Sequence, residues 1–166
     1  MSPSLSPIQT TGPLRSGSCP PVVTGPAESD LVTAGAGGGM RVIVPGAATG
    51  NAYAVCLGSY EPGSGPLRQV HAREDKVFHV LDGRVLVWCD GRATEAGPGD
   101  TLALPRGLPH AFRVISDTPA RMIMTVVPGG FETFFAAIAG LRLPDDQARL
   151  VTISERYGLE YVGPPL

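Results

Sequence analysis

Gly65-Pro-Leu-Arg-Gln-Val-His-Ala-Arg-Glu-Asp-Lys-Val-Phe-His-Val-Leu-Asp-Gly83 and, a short way on, Gly99-Asp-Thr-Leu-Ala-Leu-Pro-Arg-Gly-Leu-Pro-His-Ala-Phe112 are the stretches on which the fold of this chain is decided. Both consist of short apolar or alternating runs closed by turn residues. Side chains two apart on a strand share a face, so Gln69 and His71 point together and Lys76, Phe78 and Val80 form a second set. His79 then faces the other way, which makes it a packing or interface histidine. Asp75 also has the opposite parity to Phe78, and only a bulge would turn it inward.

The same punctuation continues on either side. Ala52–Tyr60, Lys76–Leu81, Arg84–Cys89, Thr101–Leu104, His110–Ile115 and Arg121–Val126 are the strand candidates. Asp82-Gly83 and Asp90-Gly91 suit tight hairpins, because both central positions of such a turn tolerate positive φ. Short strands this closely spaced predict a mainly all-β domain, an antiparallel barrel or jelly roll, over residues 27–128. Alternation from His110, and from Arg121 facing outward, turns Phe112, Val114, Met122, Met124 and Val126 inward, a mostly apolar wall suited to a hydrophobic or aromatic ligand. After Pro128-Gly-Gly130 the period changes. Phe131–Leu141 and Pro144–Tyr157 read as two C-terminal helices, the second with Pro144, Asp145 and Asp146 at its start and Gly158 just past its end. We expect residues 129–166, helices and tail, to pack on the outside of the barrel.

Residues 1–26 hold six prolines among serines, threonines and glycines. Such a composition buries too little apolar area to offset its ordering entropy, so it reads as a loose arm, either a lid or a dimer arm. Gly35-Ala-Gly-Gly-Gly39 lacks the order of a phosphate loop and precedes no helix pattern, so it is a turn before Met40. A chain of 166 residues is long enough for one self-sufficient core. Its net charge of -2, with scattered arginines, gives no electrostatic footprint for nucleic acid or an anionic membrane. Cys19, Cys56 and Cys89 are odd in number and lack C-x-x-C spacing, nothing resembles a signal peptide, and no apolar run is long enough to span a bilayer. A cytoplasmic protein is the expectation.

Together the two opening stretches resemble the cupin family, whose first motif has the form G-x5-H-x-H-x(3,4)-E-x6-G and whose second has the form G-x5-P-x-G-x2-H. The resemblance runs over residues 40–127, and the closing Arg156-Tyr-Gly-Leu-Glu-Tyr-Val-Gly-Pro-Pro-Leu166 is similar to the tail of quercetin 2,3-dioxygenase-like single-domain cupins. It implies a cupin β-barrel, commonly paired as a homodimer, in which three histidines and a glutamate hold one divalent metal. Here the frame is kept and the ligand set is degenerate. With the motif's spacer before Gly83, Lys76 falls in the glutamate's place; Gln69 replaces the first histidine, His71 is the second, and Pro105-Arg-Gly-Leu-Pro-His110 supplies the third.

Lys76 is the only lysine among thirteen basic residues. An ammonium is no metal ligand and an amide oxygen is a weak one, so no cofactor is expected; the alternative is iron, nickel, copper or zinc held weakly by His71, His110 and Gln69. A lysine inside an apolar barrel has its pKa lowered and can serve as base, acid or amine nucleophile. His71 and His110 would shuttle protons or donate to an oxyanion, and Gln69 would orient a carbonyl or enol. Phe78, Phe112, Met122 and Met124 are the expected substrate-binding wall. Three functions follow: a metal-independent cyclase, isomerase or dehydratase acting on a polyketide-like or polyphenolic substrate; a quercetinase-like dioxygenase; or a non-catalytic binding cupin. The leading reading is the first. It predicts that the chain purified without added metal or chelator carries no stoichiometric iron, nickel, copper or zinc by elemental analysis, whereas the double variant Gln69→His, Lys76→Glu does. Stoichiometric metal in the natural chain would put the dioxygenase first.

Overall fold

The computed structural model describes residues 31–34 and 38–166. The arm expected over residues 1–26 and most of the glycine-rich turn lie outside the described residues. In chain order the elements are β1 (Leu31–Ala34), β2 (Gly38–Val44), β3 (Ala54–Tyr60), β4 (Arg68–His71), β5 (Asp75–Asp82), β6 (Val85–Cys89), β7 (Arg92–Ala96), β8 (Thr101–Leu104), β9 (His110–Val114), β10 (Ala120–Val127), α1 (Thr133–Ala137), α2 (Gln147–Arg156) and β11 (Leu159–Gly163), with a short 3-10 turn at Gly46–Thr49. They form two antiparallel sheets, in the orders β1-β2-β3-β10-β5-β8 and β11-β4-β9-β6-β7, which face each other across the core.

The alternation read from the sequence is the alternation of the sheets. On β5, Lys76, Phe78 and Val80 are buried between outward-facing neighbours, and on β10 Met122, Met124 and Val126 do the same. Phe112 and Val114 complete the wall from β9. His79 faces outward, its Nδ1 2.9 Å from Thr101 Oγ1. Asp75 also turns away and pairs with Arg106 at 2.7 Å. No bulge brings either of them into the barrel.

Four strands carry no clear apolar alternation of their own and escape a reading by pattern. β7 is exposed along all but its last residue and owes its extended form to the hairpin with β6 across Asp90-Gly91. β1 lies on the edge beside β2. β4, known from the sequence only as the seat of Gln69 and His71, is held by β11, which pairs Leu159 with His71 and Tyr161 with Gln69. The tail is therefore a strand of the second sheet rather than a layer outside it.

The helices also depart from expectation. They are shorter than Phe131–Leu141 and Pro144–Tyr157, and instead of lying on the outer surface they close one end of the barrel. Phe131, Phe134, Phe135 and Leu150 are buried and form part of the cavity wall. An outer position would have left three phenylalanines in five residues in water, at a cost of about 1.5–3 kcal/mol each.

Close packing is most demanding at Gly65, where the chain runs against β9: a Cβ there would lie 1.9 Å from the Phe112 carbonyl oxygen, a backbone atom that cannot rotate away. Gly63 N donates to Val114 O at 3.0 Å and Val114 N to Ser64 O at 2.9 Å, which pins the segment. Gly65→Ala should destabilise by roughly 3 kcal/mol, a fall of about 10 °C in thermal midpoint. Gly91→Ala, where nothing lies within 4 Å of the new Cβ and only the positive φ of 81° is strained, should cost nearer 1 kcal/mol. Thermal melts of the two variants side by side check the difference.

Candidate functional site

β5 carries Lys76 into the barrel opposite Val126 of β10 and Leu104 of β8, while β4 brings Gln69 beside His110 of β9. Pairing between the strands thus gathers Gln69, His71, Lys76 and His110 at one end of the barrel. Lys76 is 4 % exposed and His71 wholly buried. Lys76 Nζ lies 2.7 Å from His71 Nε2 and 4.5 Å from the centroid of the Phe131 ring. His71 stacks on His110, with ring centroids 5.5 Å apart, and Phe131 meets His71 edge-on at 4.5 Å.

The proton positions follow from the partners. The Leu108 carbonyl can only accept, so at 3.0 Å His110 Nδ1 carries the hydrogen and donates it. His110 Nε2 is left as a bare acceptor, buried and without a partner. When Lys76 is protonated its Nζ can only donate to His71 Nε2, which then places the His71 proton on Nδ1, 3.5 Å from Glu74 Oε2. Burial first, and then the neighbouring Lys76, holds both imidazoles below their ordinary range, His110 at about 4 and His71 lower still. Burial lowers Lys76 to about 7, against the opposing pull of Glu74 and Cys56. It also raises the Glu74 carboxyl, despite Lys76.

Glu74 was not read from the sequence as part of this group. It lies outside the spacing of the motif's carboxylate and sits in the turn before β5, where strand parity is silent; its burial, at 7 % exposure, is what reveals it. The one available signal was its place three residues from His71.

A cavity opens at this end of the barrel, about 910 Å³ with its open mouth included. Lys76 and Gln69 supply its polar wall together with Tyr60 and Tyr161, and Phe78, Phe112 and Met124 stand where they were expected. Met122 does not line it: paired with Val80 and Gly58, it is 1 % exposed in the core beyond. His71 and His110 lie behind the wall rather than on it. The helical aromatics Phe131, Phe134 and Phe135, unassigned in the sequence reading, contribute more of the lining than the methionines.

As a donor set the group does not fit a divalent ion. The Nε2 lone pair of His71 is engaged by the amine of Lys76, and the fourth position offers an amine in place of a carboxylate. Among the described residues no three His, Cys, Asp or Glu side chains cluster in a way that would hold a metal.

Two facing antiparallel sheets that enclose a buried polar group define a small-molecule-sized β-barrel of the double-stranded β-helix class. Residues 56–126 match the family model described as Cupin domain, and the two sheets form the cupin type of β-barrel. It is 34% identical over 68 residues to a quercetin 2,3-dioxygenase of Bacillus subtilis (strain 168), covering 41% of this chain and 20% of that protein. It is 31% identical over 103 residues to a quercetin 2,3-dioxygenase of Aspergillus japonicus, covering 57% of this chain and 29% of that one. The chain thus spans less than a third of the length of either relative. Among solved structures, KdgF from Halomonas sp. superposes with a TM-score of 0.62 at 16% identity, over 69% of this chain and 99% of that one, which shows the fold. Among the described residues no helix is long and apolar enough to cross a membrane.

A lysine held at about 7 when folded and at its ordinary value when unfolded makes stability depend on pH. Between about 7 and 10.5 the unfolded chain binds the extra proton, so this group's contribution to stability rises with pH across that window; below it the cost of burying the charge is present in full. Lys76→Met should therefore gain on the natural chain by a few kcal/mol at pH 6, and the gap should close by pH 10. Denaturant melts of both at several pH values read the difference. With a single lysine in the chain, 13C labelling at Cε gives one resonance, and its midpoint should fall near 7.

Proposed function

We propose that the protein is a metal-independent acid–base enzyme, a cyclase, isomerase or dehydratase, acting on a polyketide-like or polyphenolic substrate in the barrel cavity. The observation that carries this reading is the buried Lys76 amine, hydrogen-bonded at 2.7 Å to a neutral imidazole and opening on an aromatic-walled cavity. A group with pKa near the working pH divides its time between base and acid, which is the condition for efficient proton transfer in both directions. The partial likeness to two quercetin 2,3-dioxygenases supports an aromatic substrate of flavonol size.

In the forward step the free amine of Lys76 takes the proton from a carbon flanked by carbonyls, or from a phenol or enol oxygen. His71 Nε2 accepts one Nζ–H and so fixes where the amine lone pair points. The enolate that forms is stabilised by the new ammonium and by the Gln69 amide donating to its oxygen. When the enolate closes on a second carbonyl of the same molecule, Lys76 returns its proton to the resulting alkoxide, and the site is regenerated.

Incubating the protein with linear 1,3-diketones and polyphenols under argon, with chelator present, tests this by mass spectrometry of products. We expect isomerised, cyclised or dehydrated product, with kcat rising through pH 7 as Lys76 loses its proton and reaching a plateau above it. Lys76→Met should lower kcat by about 10²–10⁴. Turnover that instead consumes oxygen and requires added metal would establish the dioxygenase; ligand affinity without turnover would leave a binding cupin.

A further inference from the structure

We propose that Lys76 is also a nucleophile, and that Nζ condenses with one carbonyl of a 1,3-dicarbonyl substrate to give a covalent imine that rests as its enaminone. This rests on the reading of the cavity as a substrate site, and it goes beyond that reading by naming the substrate class and a covalent intermediate.

Three features of the site converge on it. Lys76 is the only side-chain amine in the chain, and it lines the cavity instead of lying behind the wall. Among the described residues no carboxylate is within ion-pair distance of Nζ, whose near neighbours are the face of Phe131 and the neutral His71 ring. Burial among apolar groups without a counter-charge favours the uncharged, nucleophilic form of an amine. The third feature is the wall beside the amine. Gln69 lines the cavity together with Lys76, so its amide can donate to one carbonyl oxygen of a 1,3-dicarbonyl while the amine meets the other carbonyl, and Phe78, Phe112 and Phe134 enclose the short chain between them.

In the condensation the Nζ–C bond forms as the carbonyl π pair moves to oxygen. That oxygen takes one proton shed by Nζ, and the carbon between the two carbonyls releases a second proton to it. The C–O bond then breaks and one water departs. The product keeps one N–H, conjugated through the new C=C to the remaining carbonyl, and no oxidant, reductant or metal takes part.

The test is labelling of the full natural chain with 2,4-pentanedione at pH 7, followed by intact-mass measurement and peptide mapping. One adduct per chain is expected, heavier by one pentanedione less one water, mapping to the peptide that contains Lys76 and accompanied by a new near-ultraviolet band. Lys76→Met and Lys76→Arg should both lose that band; should either variant misfold, the map of the natural chain decides alone. Modification confined to arginines or to the terminal amine would overturn the proposal. So would Lys76-dependent turnover, metal-free and anaerobic, of a substrate that never labels Lys76, in which case the acid–base reading stands without the covalent step. An adduct at Lys76 in a chain that turns over no substrate would uphold the nucleophile and sink the catalytic reading.

Discussion

The site is organised by the burial of one amine against one imidazole. Placing an ammonium in a low-dielectric interior is costly unless a carboxylate pairs with it, and no carboxylate touches Lys76 Nζ among the described residues. The charge is instead offset weakly, by a 2.7 Å hydrogen bond to His71, by the face of Phe131, and by the more distant Glu74. Every neighbour of the amine has to be held in place for that arrangement to persist. β11 pairs with β4 beneath His71, and β8 and β10 flank β5 beneath Lys76.

Phe131 depends on a second buried carboxylate. Glu132 accepts hydrogen bonds from Gly46 N at 2.8 Å and from Gly130 N at 2.6 Å, tying the turn after β2 to the start of the helical segment. The room for this is made by glycine: a Cβ at Gly46 would meet Glu132 Oε1 at 2.8 Å. A carboxylate accepting two backbone donors is a firm anchor, and it fixes Phe131, the next residue back, over the amine. The helices are thereby part of the site, with Phe134 and Phe135 carried into the cavity wall by the same anchor.

What was legible in the sequence were the features that repeat with a period of two. The inward set on β5, β9 and β10, the outward turn of His79 and Asp75, and the convergence of Gln69, His71, Lys76 and His110 all follow from parity and motif spacing. What was not legible depends on tertiary placement. β7 and β11 become strands through their partners, since neither presents a clean apolar alternation. The aromatic residues of α1 face inward because the barrel end is open to receive them, which no local pattern records. Met122 and Met124 share a face and a residue type, yet only Met124 reaches the cavity, because the floor falls between successive rungs of β10. Glu74 sits in a turn, where alternation gives no face at all.

The exchange of ligands at this site preserves more than it discards. A divalent ion bound by neutral imidazoles and a single carboxylate carries a net charge of about +1 in its inner sphere, and a protonated lysine in the carboxylate's place carries the same. The protonated amine therefore places a cationic centre at one end of an apolar cavity, where an anion would be stabilised far more than in water. The two arrangements differ in what can be withdrawn. A metal-ligand set cannot surrender its charge, whereas the amine of Lys76, lowered by burial to about 7, can give up a proton and take it back. On the function proposed above, that difference would let one side chain supply base and acid in turn.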